Sequence, residues 1–285
     1  MPAHPDPAMI DAHLHLWRIE RGDYGWLTPT LGALYRDFLP GQALAQMQAA
    51  QVARAIIVQA APTEAETRFL LAIAQREPWV AGVVGWVDLA APDVARRIEV
   101  LQRESGGLLK GVRPMVQDMA DDGWLAQPGL DAGFEALIAH GLVFEALVKP
   151  VHFSALGQRL SRHPTLRAVL DHAGKPDIAG GEPAVWAAGL RALAMRHPNL
   201  VCKLSGLLSE AGEGATIDAL RPWVREVLSC FGPQRVMWGS DWPVLTLRGD
   251  YGGWHRMAQT LVAEHAPGHQ AGVFGGTARR IYGLA

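Results

Sequence analysis

Met9-Ile10-Asp11-Ala12-His13-Leu14-His15-Leu16-Trp17 is a short strand-like run that carries two histidines two positions apart. In an extended strand, side chains at i and i+2 leave the same face, so His13 and His15 point at one spot. Two imidazoles aimed at one point are half of a metal site. An isolated His-x-His serves equally well as a packed pair, because histidine is often part-buried. The rest of the chain decides between these readings.

Composition bounds the answer. The 285 residues, 49% hydrophobic and 19% charged, are enough to bury a large core. A single strand-helix barrel of about 250 residues fits this length. The net charge of −2 and the scattered Lys and Arg residues supply no basic field, so neither nucleic acid nor an anionic membrane is an expected partner. The opening MPAHPDPA has no basic segment running into an apolar one. No apolar stretch approaches the roughly 18 residues of a membrane span. The two cysteines, Cys202 and Cys230, make neither a disulfide framework nor a zinc-binding spacing, and a cytoplasmic location is expected. Residues 1–8 read as a flexible lead and 9–285 as one domain.

Outward from the first run, strand and helix signals alternate. Residues 17–39 form a long loop rich in Gly, Pro and aromatics, and such loops inside compact domains are usually functional. Apolar runs suited to buried strands follow at 54–60, 81–89, 108–114, 142–148, 166–172, 200–205 and 235–241. Helix signals lie between them, including 41–51, 63–76, 92–104, 182–196 and 215–231, and Thr63 with Glu66 matches a capping box. A second long loop, 242–253, precedes the closing helices. Eight such units imply parallel strands with helical crossovers, closing into a single (β/α)8 barrel. An open doubly wound sheet would want a Gly-rich phosphate-binding turn after the first strand, where this chain has His-x-His.

Active sites in such barrels form where the strands finish. The polar residues there are His13, His15, Asp88, Arg113, Glu145, His172, Lys203, Ser205 and Asp241. Burying charge at the end of an apolar strand is costly unless it is paired or bound to metal. Lys203 and Ser205 share a face by period two, whereas Lys110 and Arg113, three apart, cannot both face inward, and Arg113 lies nearer the strand end. Asp88 and Glu145 read equally as loop caps or ion-pair partners.

The segments DAHLHLW (11–17), KGVR (110–113), LDHAGKP (170–176), CKLSG (202–206) and GSDWP (239–243) occur in this order over nearly the whole chain. Together they resemble the amidohydrolase superfamily, in the branch of TIM-barrel hydrolases that contains sugar-lactone lactonases and the pyrone-dicarboxylate lactonase. The resemblance implies a central cluster of His13, His15, His172 and Asp241 holding one zinc or manganese ion with a position left for water. Lys110 has the wrong parity for a carboxylated bridging lysine, so a second ion is not expected. Some members of the branch work without a tightly held metal, and the same cluster could then act as a purely organic site. Asp241 would take a proton from water and return it to the leaving alkoxide. Without metal, the histidines and Arg113 would stabilise the oxyanion. Ser205 and Ser240 lack the Gly-x-Ser-x-Gly setting of a covalent nucleophile.

Aromatic rings suit the C–H faces of a sugar, although packing of loops onto the barrel explains tryptophans as well. Trp17, Trp26, Trp86, Trp242 and Trp254 fall in or beside the strand ends and long loops. A dicarboxylate would want several convergent guanidinium groups. Only Arg113, with Lys149, Lys203 or Arg248, offers itself. The expected substrate is therefore a neutral sugar lactone, fuconolactone- or rhamnonolactone-like by the resemblance, contacted by Arg113, Glu145, His152, Lys203, Trp26 and Trp242. A pyrone or muconolactone-type dicarboxylate lactonase, a nonoxidative decarboxylase on the same site, and a non-catalytic binding barrel are the alternatives. A homo-oligomer is compatible with the sequence.

Overall fold

The computed structural model describes residues 9–181 and 183–284; residues 1–8, expected as a flexible lead, lie outside the described residues. Eight parallel strands run around one sheet in chain order: β1 (Ile10–Leu14), β2 (Arg54–Val58), β3 (Val80–Gly85), β4 (Leu109–Val112), β5 (Val143–Ala146), β6 (Ala168–Leu170), β7 (Leu200–Leu204) and β8 (Val236–Trp238). Around them lie α1 (Pro40–Ala49), α2 (Glu64–Ala74), α3 (Val94–Ser105), α4 (Asp131–Ala139), α5 (Phe153–Arg162), α6 (Pro183–Arg196), a short α7 (Leu207–Ala211), α8 (Ile217–Phe231), α9 (Tyr251–His265) and α10 (Thr277–Tyr282). This is the (β/α)8 arrangement that the alternation predicts. The second long loop is shorter than expected, because Asp250 accepts from Gly253 N and caps α9 already at Tyr251.

The capping box at Thr63 is only half made. Thr63 Oγ1 accepts from Glu66 N at 3.0 Å, but the Glu66 carboxylate turns away and accepts from Ala60 N and Ala61 N at 2.7–3.0 Å. It therefore ties the start of α2 to the end of β2 rather than to its own cap.

The barrel interior changes character along its axis. A lower layer of Ile10, Ala12, Ile56, Val58, Val84, Val143, Val169, Val201 and Met237 packs on Ala278, Ile281 and Tyr282 of α10, which plugs the bottom. Two residues further along their strands come Glu145, Asp171 and Lys203, all fully buried, so period two carries the inward face from apolar to charged. In β1 that rule alone would turn His13 outward, since Ile10 and Ala12 face in. A bulge decides otherwise: three steps from Asp11 to Leu14 oppose two from Ala55 to Ile57. The extra residue re-aims the strand end, as bulges beside active sites do.

The seam between β8 and β1 closes just beyond the strands. Asp241 N donates to His13 O at 2.8 Å and His15 N to Trp242 O at 2.7 Å. The chains approach so closely that a Cβ on Gly239 would stand 2.6 Å from His13 Cβ. Asp11 reinforces the seam by accepting from both His13 N (3.0 Å) and Ser240 N (2.8 Å).

Candidate active site

His13, at the end of β1, and His15, just past it, bring their Nε2 atoms to 3.1 Å. His15 Nδ1 lies 2.8 Å from Val58 O, a carbonyl that can only accept, so Nδ1 carries the proton and Nε2 presents its lone pair to the centre. Asp241 Oδ1 faces the same point, 3.4 Å from His15 Nε2, 3.7 Å from His13 Nε2 and 4.0 Å from His172 Nε2. His172 Nδ1 is fixed by Ser205 Oγ at 2.9 Å.

Two of these residues are held in the left-handed backbone region, His172 at φ 52° and Asp241 at φ 60°. Such conformations are sparsely populated by residues other than glycine and gather at functional sites. They turn both side chains off the strand direction and over the barrel mouth. Gly206, beside His172, has no room for a Cβ, which would stand 2.6 Å from His172 Nδ1.

Burial sets the protonation states. It drives His172 down to about 4, with Asp241 only partly opposing. It likewise pushes His13 well below the ordinary histidine value, helped by the Lys203 charge. Both rings are neutral at pH 7. Burial would raise Asp241, but the imidazoles of His172, His15 and His13 gathered around it hold it well below the usual carboxylate range. Asp241 is therefore an ionised carboxylate facing three imidazole nitrogens. Neutral Nε2 donors and one carboxylate make a chemically suitable set for a divalent ion, with His13, His172 and Asp241 close enough to share one. The 3.1 Å between His13 and His15 is near the roughly 3.3 Å separating neighbouring ligands that stand about 2.0–2.1 Å from a tetrahedral zinc.

Arg113 follows β4 and reaches the same centre, its Nη1 3.4 Å from His13 Nε2 and 3.3 Å from Asp171 Oδ2. Its Nη2 donates to Gln59 O, while Gln59 Nε2 donates to Arg113 O at 2.7 Å. Below lie Lys203, Glu145 and Asp171. Burial raises Glu145 to about 7 against the opposing Lys203 charge. Asp171 is held well below its ordinary range, because Lys203 and His13 outweigh the effect of burial. Asp171 is not among the site residues expected from the sequence, although its inward parity with Val169 is a signal for it.

Above the cluster is a cavity of about 280 Å³ floored by His15, His172, Asp241 and Arg113. One wall, from the loops after β1 and β8, is apolar: Trp26, Leu31, Leu34, Val244 and Leu247. The opposite wall, from the loops after β4 and β6, brings Gln117, Asp118 and Lys175. Trp26 is fixed by donating Nε1–H to Ala60 O at 2.7 Å.

Four expected substrate contacts do not border this cavity. Glu145 and Lys203 are fully buried a layer below it. His152 is turned into its own loop, accepting from Lys149 N at 3.0 Å with Nε2 3.3 Å from Asp122. Trp242 packs edge-on against Phe38, ring centroids 5.2 Å apart, and is not among the residues lining the cavity. Of the other tryptophans, Trp17 and Trp254 are packing residues, each buried and donating to a backbone carbonyl. Asp88 caps its own loop by accepting from Ala90 N at 3.0 Å, and Arg248 is exposed and paired with Glu213 at 3.1 Å.

The amidohydrolase family model matches residues 10–284. An L-fucono-1,5-lactonase of Burkholderia ambifaria is 44% identical, the match covering 96% of this chain and 94% of that one. An L-fucono-1,5-lactonase of Burkholderia multivorans is 36% identical over 96% of each chain. Among solved structures, a zinc-bound amidohydrolase of Burkholderia multivorans superposes with a TM-score of 0.92 at 36% identity, covering 98% of this chain and all of that one. A putative 2-pyrone-4,6-dicarboxylic acid hydrolase of Pseudomonas putida, 22% identical, shares the fold at a TM-score of 0.78 over 99% of this chain and 98% of that one. With the family model matching residues 10–284 and the two lactonases matching over 96% of its length, the chain belongs to the amidohydrolase family.

Proposed function

We propose that this protein is a lactonase that opens a neutral six-membered sugar lactone of the L-fucono-1,5-lactone type by attack of water on the ring carbonyl. The observation that carries the reading is the ionised, buried Asp241 carboxylate at the floor of a cavity, facing three imidazole nitrogens with a guanidinium alongside. The two Burkholderia lactonases support the substrate class.

Asp241 Oδ1 accepts the proton of the attacking water as the oxygen–carbon bond forms. It then returns that proton to the ring oxygen as the carbon–oxygen bond of the lactone breaks, leaving the open hydroxy acid. Arg113 faces the developing oxyanion with a charge that needs no rearrangement, because Gln59 O and Asp171 already hold its fork. His13, His15, His172 and Asp241 would hold a divalent ion, which when bound polarises the carbonyl and brings water toward a pKa of about 7. The zinc reported for the Burkholderia multivorans amidohydrolase supports that assignment.

The walls favour a neutral sugar over a dicarboxylate. Arg113 is the only guanidinium among the lining residues, and the one other cation, Lys175, is already paired with Glu210 at 3.0 Å. Asp118 would repel a second carboxylate. Trp26 and its apolar neighbours meet the C–H face, while Gln117, Asp118 and Lys175 meet hydroxyls. The deciding experiment follows acid release with a pH indicator for a panel of aldonolactones and a pyrone dicarboxylate, with and without chelation. Hydrolysis of a neutral lactone supports the reading; release from the dicarboxylate alone, or carbon dioxide evolution from an aromatic acid, overturns it.

A further inference from the structure

One layer beneath the cavity lies a charge cluster whose lysine and glutamate none of these steps uses. Lys203 Nζ is 2.6 Å from Glu145 Oε2, 3.1 Å from His13 Nδ1 and 3.2 Å from Asp171 Oδ1, and all four residues are fully buried. The remaining Glu145 oxygen accepts from Tyr282 Oη, and the remaining Asp171 oxygen faces Arg113 Nη1 at 3.3 Å. Each carboxylate thus turns one oxygen to the ammonium and one to a fixed donor of the barrel.

Without the ammonium, what surrounds this point is one imidazole nitrogen and two carboxylates, with ligand atoms of His13, Glu145 and Asp171 within 4.8 Å of one another. Nitrogen and carboxylate oxygen in that number suit a divalent ion as well as they suit an ammonium. His13 is common to both positions: its Nε2 looks up toward His15 and Asp241, its Nδ1 down toward Lys203. The barrel therefore has two stacked cation positions on either side of one imidazole, which can bind a divalent ion through both nitrogens at once only after losing its proton.

We propose that the Lys203 side chain occupies the lower of these positions as a built-in cation, and that its presence, rather than a shortage of ligands, limits the protein to a single divalent ion. Two buried carboxylates need a positive partner. A lysine provides one that is neither lost on dilution nor exchanged. The inference concerns the lower position alone and stands whether or not the substrate is a lactone.

The test is metal uptake by apo protein, measured with zinc alone and without reference to turnover. Wild-type protein, loaded and passed through gel filtration, should retain no more than one zinc equivalent. Lys203→Ala should retain one equivalent more, and the triple variant K203A/E145Q/D171N should lose that gain. Equal uptake by wild type and Lys203→Ala overturns the proposal. Because the alanine leaves two carboxylates bare, it is also melted with and without zinc. Zinc should raise its melting temperature clearly more than that of wild type. Equal shifts, or a variant that stays unfolded with zinc as well as without, would show that a divalent ion does not replace the ammonium and would overturn the idea.

Discussion

Tyr251 Oη donates to Asp11 Oδ2 at 2.9 Å, joining the last long helix to the first strand across 240 residues, with both groups buried. The other Asp11 oxygen accepts from the backbone of His13 and Ser240, the two residues that lead into the histidine pair and Asp241. Tyr251 thereby orients the site without touching it. Burial lifts Asp11 to about 6, so the bonds it accepts are what keep it useful as an acceptor near neutral pH.

Tyr251→Phe should destabilise the fold by about 1–2 kcal/mol, the cost of leaving a buried acceptor short of a partner. It should lower kcat while leaving KM nearly unchanged, since the phenol borders no substrate. Thermal melts and steady-state kinetics on one lactone check both parts.

Asp241→Asn should abolish lactone opening by about a thousandfold, within the range that a general base contributes. Asparagine tolerates the left-handed backbone that Asp241 adopts at φ 60°. The variant should therefore melt as a folded protein, and circular dichroism separates lost chemistry from lost structure.

Trp26 and Trp242 should behave differently although both follow strand ends. Trp26 lines the cavity, so Trp26→Ala should shift kcat/KM unequally among lactones differing at the substituent carbon. Trp242 is packed on Phe38, and its removal should cost about 3–5 kcal/mol of stability and reduce all substrates alike. Equal selectivity changes for the two would contradict the placement of the apolar wall.

Glu66 gives a pH dependence of stability. Burial raises its carboxyl from 4.5 to about 7, despite the hydrogen bonds from Ala61 and Ala60. The folded state then holds a proton that the unfolded state has released, so this contribution is full below about 4.5 and lost as pH rises through about 7. The loss amounts to about 3 kcal/mol at ~1.4 kcal/mol per unit. Other buried groups titrate in the same window, so the measure is a difference. Denaturant titrations from pH 5 to pH 8 should show a slope in wild type that Glu66→Gln reduces.

The parts of this protein that its sequence determined are those set by local periodicity. Eight apolar runs separated by helix signals require parallel strands with crossovers, and His13, His15, His172 and Asp241 stand at strand ends whatever the packing. Period two even carries the interior from Val143, Val169 and Val201 to Glu145, Asp171 and Lys203. What lies across the barrel was decided only by closure. The bulge in β1 that turns His13 inward is a register between two strands, invisible in either alone. Lys203 reads as a substrate contact until closure sets it 3.1 Å from His13, 190 residues away. Trp26 and Trp242 look alike in sequence, yet one lines the cavity and the other packs on Phe38. Backbone geometry repeats over a few residues and can be read from them. The meeting of side chains from distant strands is a property of the closed sheet, which no single segment encodes.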